Sequence, residues 1–192
     1  INVVERGEPT RFFVFFSGLF VYSLNKIFVK PDFIKVVQNI GKERYFALIG
    51  GFIGMMISLF FLDIRIFVMG IPAAIAALGY SIPLIRWNRK RISFREIPGL
   101  KIFLIALVWG VATVCIPVIS SGYNGSFKEI SLLFMERFVF VFAIAIPFDI
   151  RDMRHDVQAG VKTIPLMIGI QRSKQLALLL MFCFVLLVTY HY

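Results

Sequence analysis

The chain has few cysteines, few acidic residues and few polar groups inside its apolar segments. Its two cysteines, Cys115 and Cys183, both lie in apolar runs, which gives no support to a zinc site or a disulfide framework. Asp and Glu total 11 against 21 Lys and Arg. In a nucleic-acid-binding domain the basic residues would line one face of a water-soluble fold, but here they form short clusters between apolar runs. We therefore expect no nucleic-acid partner.

Repeats and strict alternation are also missing from the sequence. It contains no internal repeat of fixed short period and no low-complexity tract. A transmembrane β-barrel would show ten-residue segments of alternating hydrophobicity, whereas this chain has unbroken apolar runs. These absences favour helices as the membrane-crossing elements, since helices satisfy their own backbone hydrogen bonds in lipid.

Apolar residues are abundant and make up 59% of the chain, compared with about 45–50% in soluble domains. A helix needs about 17–25 residues to cross the hydrocarbon core. The predicted spans are residues 11–25, 45–62, 66–84, 100–119, 132–148 and 174–191. The fold class that follows is all-α, a polytopic bundle of six transmembrane helices. We interpret residues 1–192 as a single transmembrane domain that is truncated at both ends, since the chain starts at Ile1 and ends in an apolar run.

Basic residues concentrate in three connecting segments, 26–44, 85–99 and 149–174. By the positive-inside rule these segments face the cytoplasm, which predicts an integral protein of a bacterial-type cytoplasmic membrane. The cluster RWNRKRISFR, residues 86–95, is typical of a topology determinant that also touches the head groups of anionic membrane lipids.

Acidic residues gather at the cytoplasmic end of the fifth predicted span, in FDIRDMRHDVQAGVKTIP, residues 148–165. If the helix continues through this stretch, Asp149, Asp152 and Asp156 fall within an arc of about 60°. Arg151 and Arg154 then point elsewhere, so the relief of repulsion must come from outside the stripe.

A hard divalent cation would provide that relief. Mg²⁺ is typically held by one or two carboxylates together with substrate phosphates, so the stripe predicts a site for Mg²⁺ carrying a diphosphate. Lys162, together with Arg86 or Lys90 from the neighbouring cytoplasmic loop, would supply cations to the phosphate oxygens. Two other interpretations stay open: a solvated helix boundary, and a proton or ion pathway, although pathway acids should lie within the span.

The stretch FDIRDMRHDVQAGVKTIPLMIG, residues 148–169, resembles the second aspartate-rich motif of the UbiA superfamily of intramembrane prenyltransferases. That motif is built on D-x-x-x-D, here Asp152 and Asp156, often with an earlier acid such as Asp149. Its G-x-K-T-x-P-x-x-x-G continuation is matched by Gly160, Lys162, Thr163, Pro165 and Gly169. The stretch LGYSIPLIRWNRKRISFREIPGLKIFLIALVW resembles the cytoplasmic loop after the family's fourth helix. The similarity would cover helices two to seven of a usual nine.

The resemblance implies an all-α bundle around a central cavity, with two aspartate-rich motifs facing each other at the cytoplasmic end. It implies that Asp152 and Asp156 bind Mg²⁺ with help from Asp149, and that Lys162 contacts a prenyl diphosphate. The prenyl group would pass from this allylic diphosphate to a lipophilic, often aromatic, acceptor, while the apolar spans hold the lipid tail.

The family's first motif, N-x-x-x-D-x-x-x-D, is not matched. In LFVYSLNKIFVKPDF, residues 19–33, Asn25 is followed four positions later by Val29 rather than by an acid. Half of the expected metal site is therefore missing from its usual place. The remaining candidates for substrate binding are Asn25 and Tyr22 from this helix and Tyr80 and Arg86 from the loop.

This departure keeps two alternatives in view. One is a non-enzymatic membrane protein of the same fold that binds a lipid or a partner. The other is a transporter, which would need polar residues inside the spans. Few were identified there: Ser17, Ser58, Ser81 and Thr113.

Overall fold

The structure is a computed structural model that describes residues 3–28, 42–82, 85–87, 90–123, 125–158 and 160–191. Its helices are α1 (Val3–Phe28), α2 (Lys42–Leu59), α3 (Ile64–Ser81), α4 (Leu100–Gly110), α5 (Ile116–Ser121), α6 (Phe127–Gln158), α7 (Ile164–Ile168) and α8 (Ile170–His191). A π-helical segment, Val111–Cys115, joins α4 to α5, so residues 100–121 form one helical rod. The predicted helical fold class is confirmed.

A short hairpin adds a β element that the sequence interpretation did not include. Strands β1 (Ile85–Trp87) and β2 (Lys90–Ile92) pair antiparallel, with Ile85 opposite Ile92. Isoleucine and tryptophan favour extended backbone, which explains why this basic segment forms strands. A 3₁₀ turn, Phe94–Glu96, follows the hairpin and leads toward α4.

Three of the predicted spans correspond to helices that are long and apolar enough to cross a membrane: Leu100–Ser121, Phe127–Gln158 and Ile170–His191. Within the described residues, the spans predicted at 11–25 and 66–84 match shorter apolar helices. The span predicted at 45–62 falls on α2, whose first three residues are all charged. The count of six spans is therefore not confirmed.

The chain divides into two compact units. Residues 1–71 with 116–123 form the first unit, and residues 72–115 with 124–192 form the second. The interpretation of the whole chain as one transmembrane domain stays a prediction.

In the first unit, α1 packs on α2 with their backbones in contact. A Cβ atom added to Gly51 would lie 2.9 Å from the backbone nitrogen of Phe20, so only glycine allows this approach. Small residues permit the same close packing in other membrane helices. Gly54 continues the contact against the ring of Phe16, and the rings of Phe20 and Phe52 lie 5.6 Å apart.

In the second unit, α4, α6, α7 and α8 share a core. Ile102 of α4 and the α6 residues Ala145 and Ile146 are buried and form its centre. Ile164 of α7 and Leu176 of α8 pack against them. This core holds the start of α4 beside the acidic end of α6.

Adjacent glycines of α2 provide a matched test of the helix contact. We expect Gly51→Ala to lower the free energy of unfolding by about 1–3 kcal/mol, because the new methyl group overpacks against the α1 backbone. Gly50→Ala meets nothing within 4 Å. It should be neutral or stabilising by up to about 1 kcal/mol through helix propensity. Thermal unfolding of the purified chain in detergent, followed by circular dichroism, measures both, and equal effects would contradict the proposed contact.

Candidate functional site

Helix α6 carries the acidic stripe beyond its apolar part. The helix runs to Gln158, which confirms the prediction that it continues through Asp156. Gly160 follows with φ 71°, and the backbone N–H of Val161 donates to the carbonyl oxygen of Asp156 at 2.9 Å. The left-handed glycine conformation ends the helix as expected.

One lysine joins two of the three aspartates. The Lys101 ammonium nitrogen lies 2.9 Å from Asp149 Oδ1 and 3.0 Å from Asp156 Oδ2. Asp149 and Asp156 are seven residues, about two helical turns, apart and therefore lie on the same face of α6. The three side chains are largely buried, with exposed fractions of 15% for Lys101, 5% for Asp149 and 13% for Asp156.

Asp152, the third aspartate, has a different environment. Its side chain is 40% exposed and accepts a hydrogen bond from Arg151 Nε at 2.8 Å. The expectation that Arg151 points away from the acidic stripe is therefore wrong, because the guanidinium folds back onto its neighbour. Repulsion along the stripe is relieved by Lys101 at the two buried acids and by Arg151 at the exposed one.

The described residues contain no group of three or more His, Cys, Asp or Glu side chains arranged to hold a metal ion. The predicted convergence of all three aspartates on one ion is thus not seen in this part of the chain. Two carboxylates do converge, and they do so on the ammonium of Lys101.

Three buried polar atoms of the second unit lack a hydrogen-bond partner among the described residues. They are Asp149 Oδ2, Thr163 Oγ1 and Arg95 Nε. Buried polar groups are nearly always paired in folded proteins. A polar ligand bound here would therefore provide these three atoms with hydrogen-bond partners. Thr163 belongs to the G-x-K-T-x-P continuation, whereas Arg95 was counted only as part of the basic cluster.

Backbone contacts hold the neighbouring loops beside the ion pair. The N–H of Gly99 donates to the carbonyl oxygen of Lys162 at 3.2 Å, which ties the segment before α4 to the turn after α6. Gly79, near the end of α3, packs closely against the ring of Phe94. Gly99 precedes Lys101 by two residues, so the turn after α6 is held next to the start of α4.

The predicted substrate-binding residues lie in different environments in the structure. Tyr80 is half-buried and interacts electrostatically with Lys101, Arg95 and both buried aspartates, so it belongs to the cluster. The Lys162 side chain is exposed. Arg86 lies on β1, but its side chain is outside the described part.

Tyr22 and Asn25 belong to the first unit, whereas the aspartates belong to the second. Tyr22 is 62% exposed, and the side chain of Asn25 is outside the described residues. Their roles in substrate binding stay predictions.

Lys101 is the main residue that sequence reasoning missed. It lies at the start of the span predicted at 100–119 and outside the three basic segments. The available signal was a lysine placed second in an otherwise apolar helix, LKIFLIALVWG. Charged residues inside membrane segments commonly pair with one another and mark functional sites.

Glu136 was also overlooked, although it lies within the fifth predicted span. Its side chain is 3% exposed, and Oε1 lies 2.6 Å from Nδ1 of His191 on α8. Glu136 precedes Asp149 by 13 residues, about 20 Å along the helix axis. It therefore forms a second polar contact, separate from the aspartate cluster.

Comparison with known proteins identifies the family. The model of the UbiA prenyltransferase family matches residues 42–192, and the chain belongs to this family. No curated protein and no solved structure matches it.

The buried ion pair predicts that replacing Lys101 lowers the free energy of unfolding much more than replacing an exposed lysine does. In the absence of divalent cations, Lys101→Met should lower the free energy of unfolding by about 3–5 kcal/mol, because it leaves two buried carboxylates without their cation. Lys174 is exposed on α8. Lys174→Met should change stability by no more than about 0.5 kcal/mol. Thermal unfolding in detergent with EDTA measures both, and similar values for the two variants would argue against the buried pair.

Proposed function

We propose that this member of the UbiA prenyltransferase family is an intramembrane enzyme that transfers a prenyl group from an allylic diphosphate to a lipophilic, often aromatic, acceptor. The observation that carries the proposal is the convergence of Asp149 and Asp156 on one cation position at the end of an apolar helix. A prenyl diphosphate matches both features of the site. Its anionic diphosphate would bind at the cation position, and its apolar chain would lie along the apolar helix.

The donor set fits Mg²⁺, which binds oxygen ligands and is usually held by one or two carboxylates plus substrate phosphates. Asp149 and Asp156 supply carboxylates, and Asp149 Oδ2 has no partner among the described residues. Asp152 is one turn from Asp156 and joins the proposed ligand set. The metal would stabilise the negative charge of the departing diphosphate.

Cations and hydrogen-bond donors around the aspartates would orient the diphosphate. Arg95 Nε is buried without a partner among the described residues. Lys162 has an exposed side chain, and its backbone carbonyl accepts a hydrogen bond from Gly99. Charged donors bind phosphate oxygens more strongly than neutral donors do. Tyr80 and Arg86 complete the proposed contacts.

An aromatic row on α6 would accommodate the prenyl tail. Phe134, Phe138 and Phe142 follow one another along the helix, with neighbouring ring centroids 6.2 and 6.0 Å apart. Phe103 of α4 packs on Phe138 at 5.3 Å. The row continues from the aspartate end of the helix into its apolar part and offers an apolar surface to an isoprenoid chain.

The proposed location is a bacterial-type cytoplasmic membrane, with the aspartate cluster on the cytoplasmic side. This side is supported by the excess of basic residues in the segments that flank the cluster. A water-soluble diphosphate headgroup would reach the site from the cytoplasm.

The alternative is a non-enzymatic protein of the same fold that binds a lipid. It is favoured by α1, whose residues Val3–Phe28 contain no aspartate to form the first motif.

Calorimetric titration of the full chain with a non-hydrolysable allylic diphosphate analogue, with Mg²⁺ or with EDTA, tests the proposal. We expect Mg²⁺-dependent binding that weakens at least about tenfold in Asp156→Ala, because a metal-binding carboxylate is lost. Asp152→Ala in the same titration tests whether the exposed aspartate also contributes.

Asp63→Ala serves as the control. Asp63 is in the first unit and pairs with Arg65 at the surface, so its removal should leave binding unchanged. A well-folded chain that fails to bind the analogue with Mg²⁺ would contradict the enzymatic proposal and favour the non-enzymatic alternative.

A further inference from the structure

Lys101 takes the position at which a metal would be shared by two aspartates. Its ammonium is within hydrogen-bond distance of Asp149 and also of both carboxylate oxygens of Asp156. The contact is largely buried and joins residues on two different helices. A lysine so placed is a cation built into the chain, between the carboxylates that the proposed function assigns to Mg²⁺.

The ammonium and a divalent cation exclude one another at this position. Mg²⁺ requires oxygen ligands at about 2.0–2.1 Å, so both carboxylates would have to turn toward the ion and away from the lysine. Two cations only a few ångströms apart would also repel, and partial burial weakens the solvent screening between them. Entry of the metal therefore requires that Lys101 move to another anionic partner.

A diphosphate is the partner that the proposed reaction brings to the site. Its oxygens accept hydrogen bonds from an ammonium, which carries three donors on a flexible stem. Arg95 Nε and Thr163 Oγ1, both buried without a partner among the described residues, offer further donors in the same unit. The anion would thus supply the lysine with a new partner and the metal with additional ligands.

We propose that Lys101 competes with the divalent cation for Asp149 and Asp156, so that the site binds metal strongly only when a diphosphate is present to accept the lysine. This inference rests on the proposed function and gives Lys101 two alternative partners within it, the carboxylates and the diphosphate.

Metal binding without phosphate tests the competition directly. Mn²⁺, which also prefers oxygen ligands, is added to the detergent-purified full chain, and bound ion is measured by the loss of the free Mn²⁺ electron paramagnetic resonance signal. We expect weak binding to the unmodified chain. In Lys101→Met, binding should tighten by about tenfold or more, because a positive charge within about 4 Å of the ion is removed.

A second readout separates this inference from the proposed function. Equilibrium dialysis with radiolabelled inorganic pyrophosphate and Mg²⁺ should show binding to the unmodified chain. Lys101→Met should weaken that binding several-fold, because the anion loses an ammonium partner. Lys174→Met makes the same change at an exposed position of α8 and should match the unmodified chain in both assays.

Lys101→Gln carries the test if the methionine variant does not fold. Glutamine removes the charge but keeps a donor for one carboxylate. Mn²⁺ affinity that is equal in the unmodified chain and in the folded variant would overturn the competition, even if pyrophosphate binding is normal. Failure of the unmodified chain to bind pyrophosphate with Mg²⁺ would instead remove the proposed function on which the inference rests.

Discussion

The contact of Lys101 with Asp149 and Asp156 is the interaction on which the second unit depends. It fixes the rotation of α6 relative to α4, since two carboxylates two turns apart must face one ammonium. Ile102, the residue after Lys101, is buried against Ala145 and Ile146, so packing and charge pairing specify the same arrangement. A buried ion pair adds little stability over an apolar contact, but breaking it is costly, so its main effect is to specify geometry.

The loops around this pair have a steric as well as an electrostatic role. Gly99 follows the 3₁₀ turn and has φ 74°. Its N–H donates to the carbonyl oxygen of Lys162 in the loop that follows α6. Gly79 allows the ring of Phe94 to pack against the end of α3. Tyr80 interacts electrostatically with Arg95, Lys101 and both buried carboxylates, so the polar end of the unit is built from three separate chain segments.

Periodicity and composition predicted the parts of this structure that depend on local sequence. The continuation of α6 through Asp156 and the end of that helix before Gly160 follow from helix geometry and from the conformational freedom of glycine. The partner of the aspartates could not be predicted in this way. Lys101 precedes Asp149 by 48 positions, and their contact depends on how α4 packs against α6. Arg151 shows that helical phase alone does not determine the contacts of a long side chain. The phase places Arg151 away from the acidic stripe, but its guanidinium folds back onto Asp152.

The contact between Glu136 and His191 has a consequence for how the protein is made. Glu136 is the fifth residue of the predicted span 132–148. Insertion scales assign a charged residue a cost that reaches about 2.5–3.5 kcal/mol at the centre of a membrane helix, so this acid gains from a partner. His191, its partner, lies 55 residues later in the chain, at the end of α8. The ribosome must therefore synthesise nearly the whole of α8 before the acid is paired.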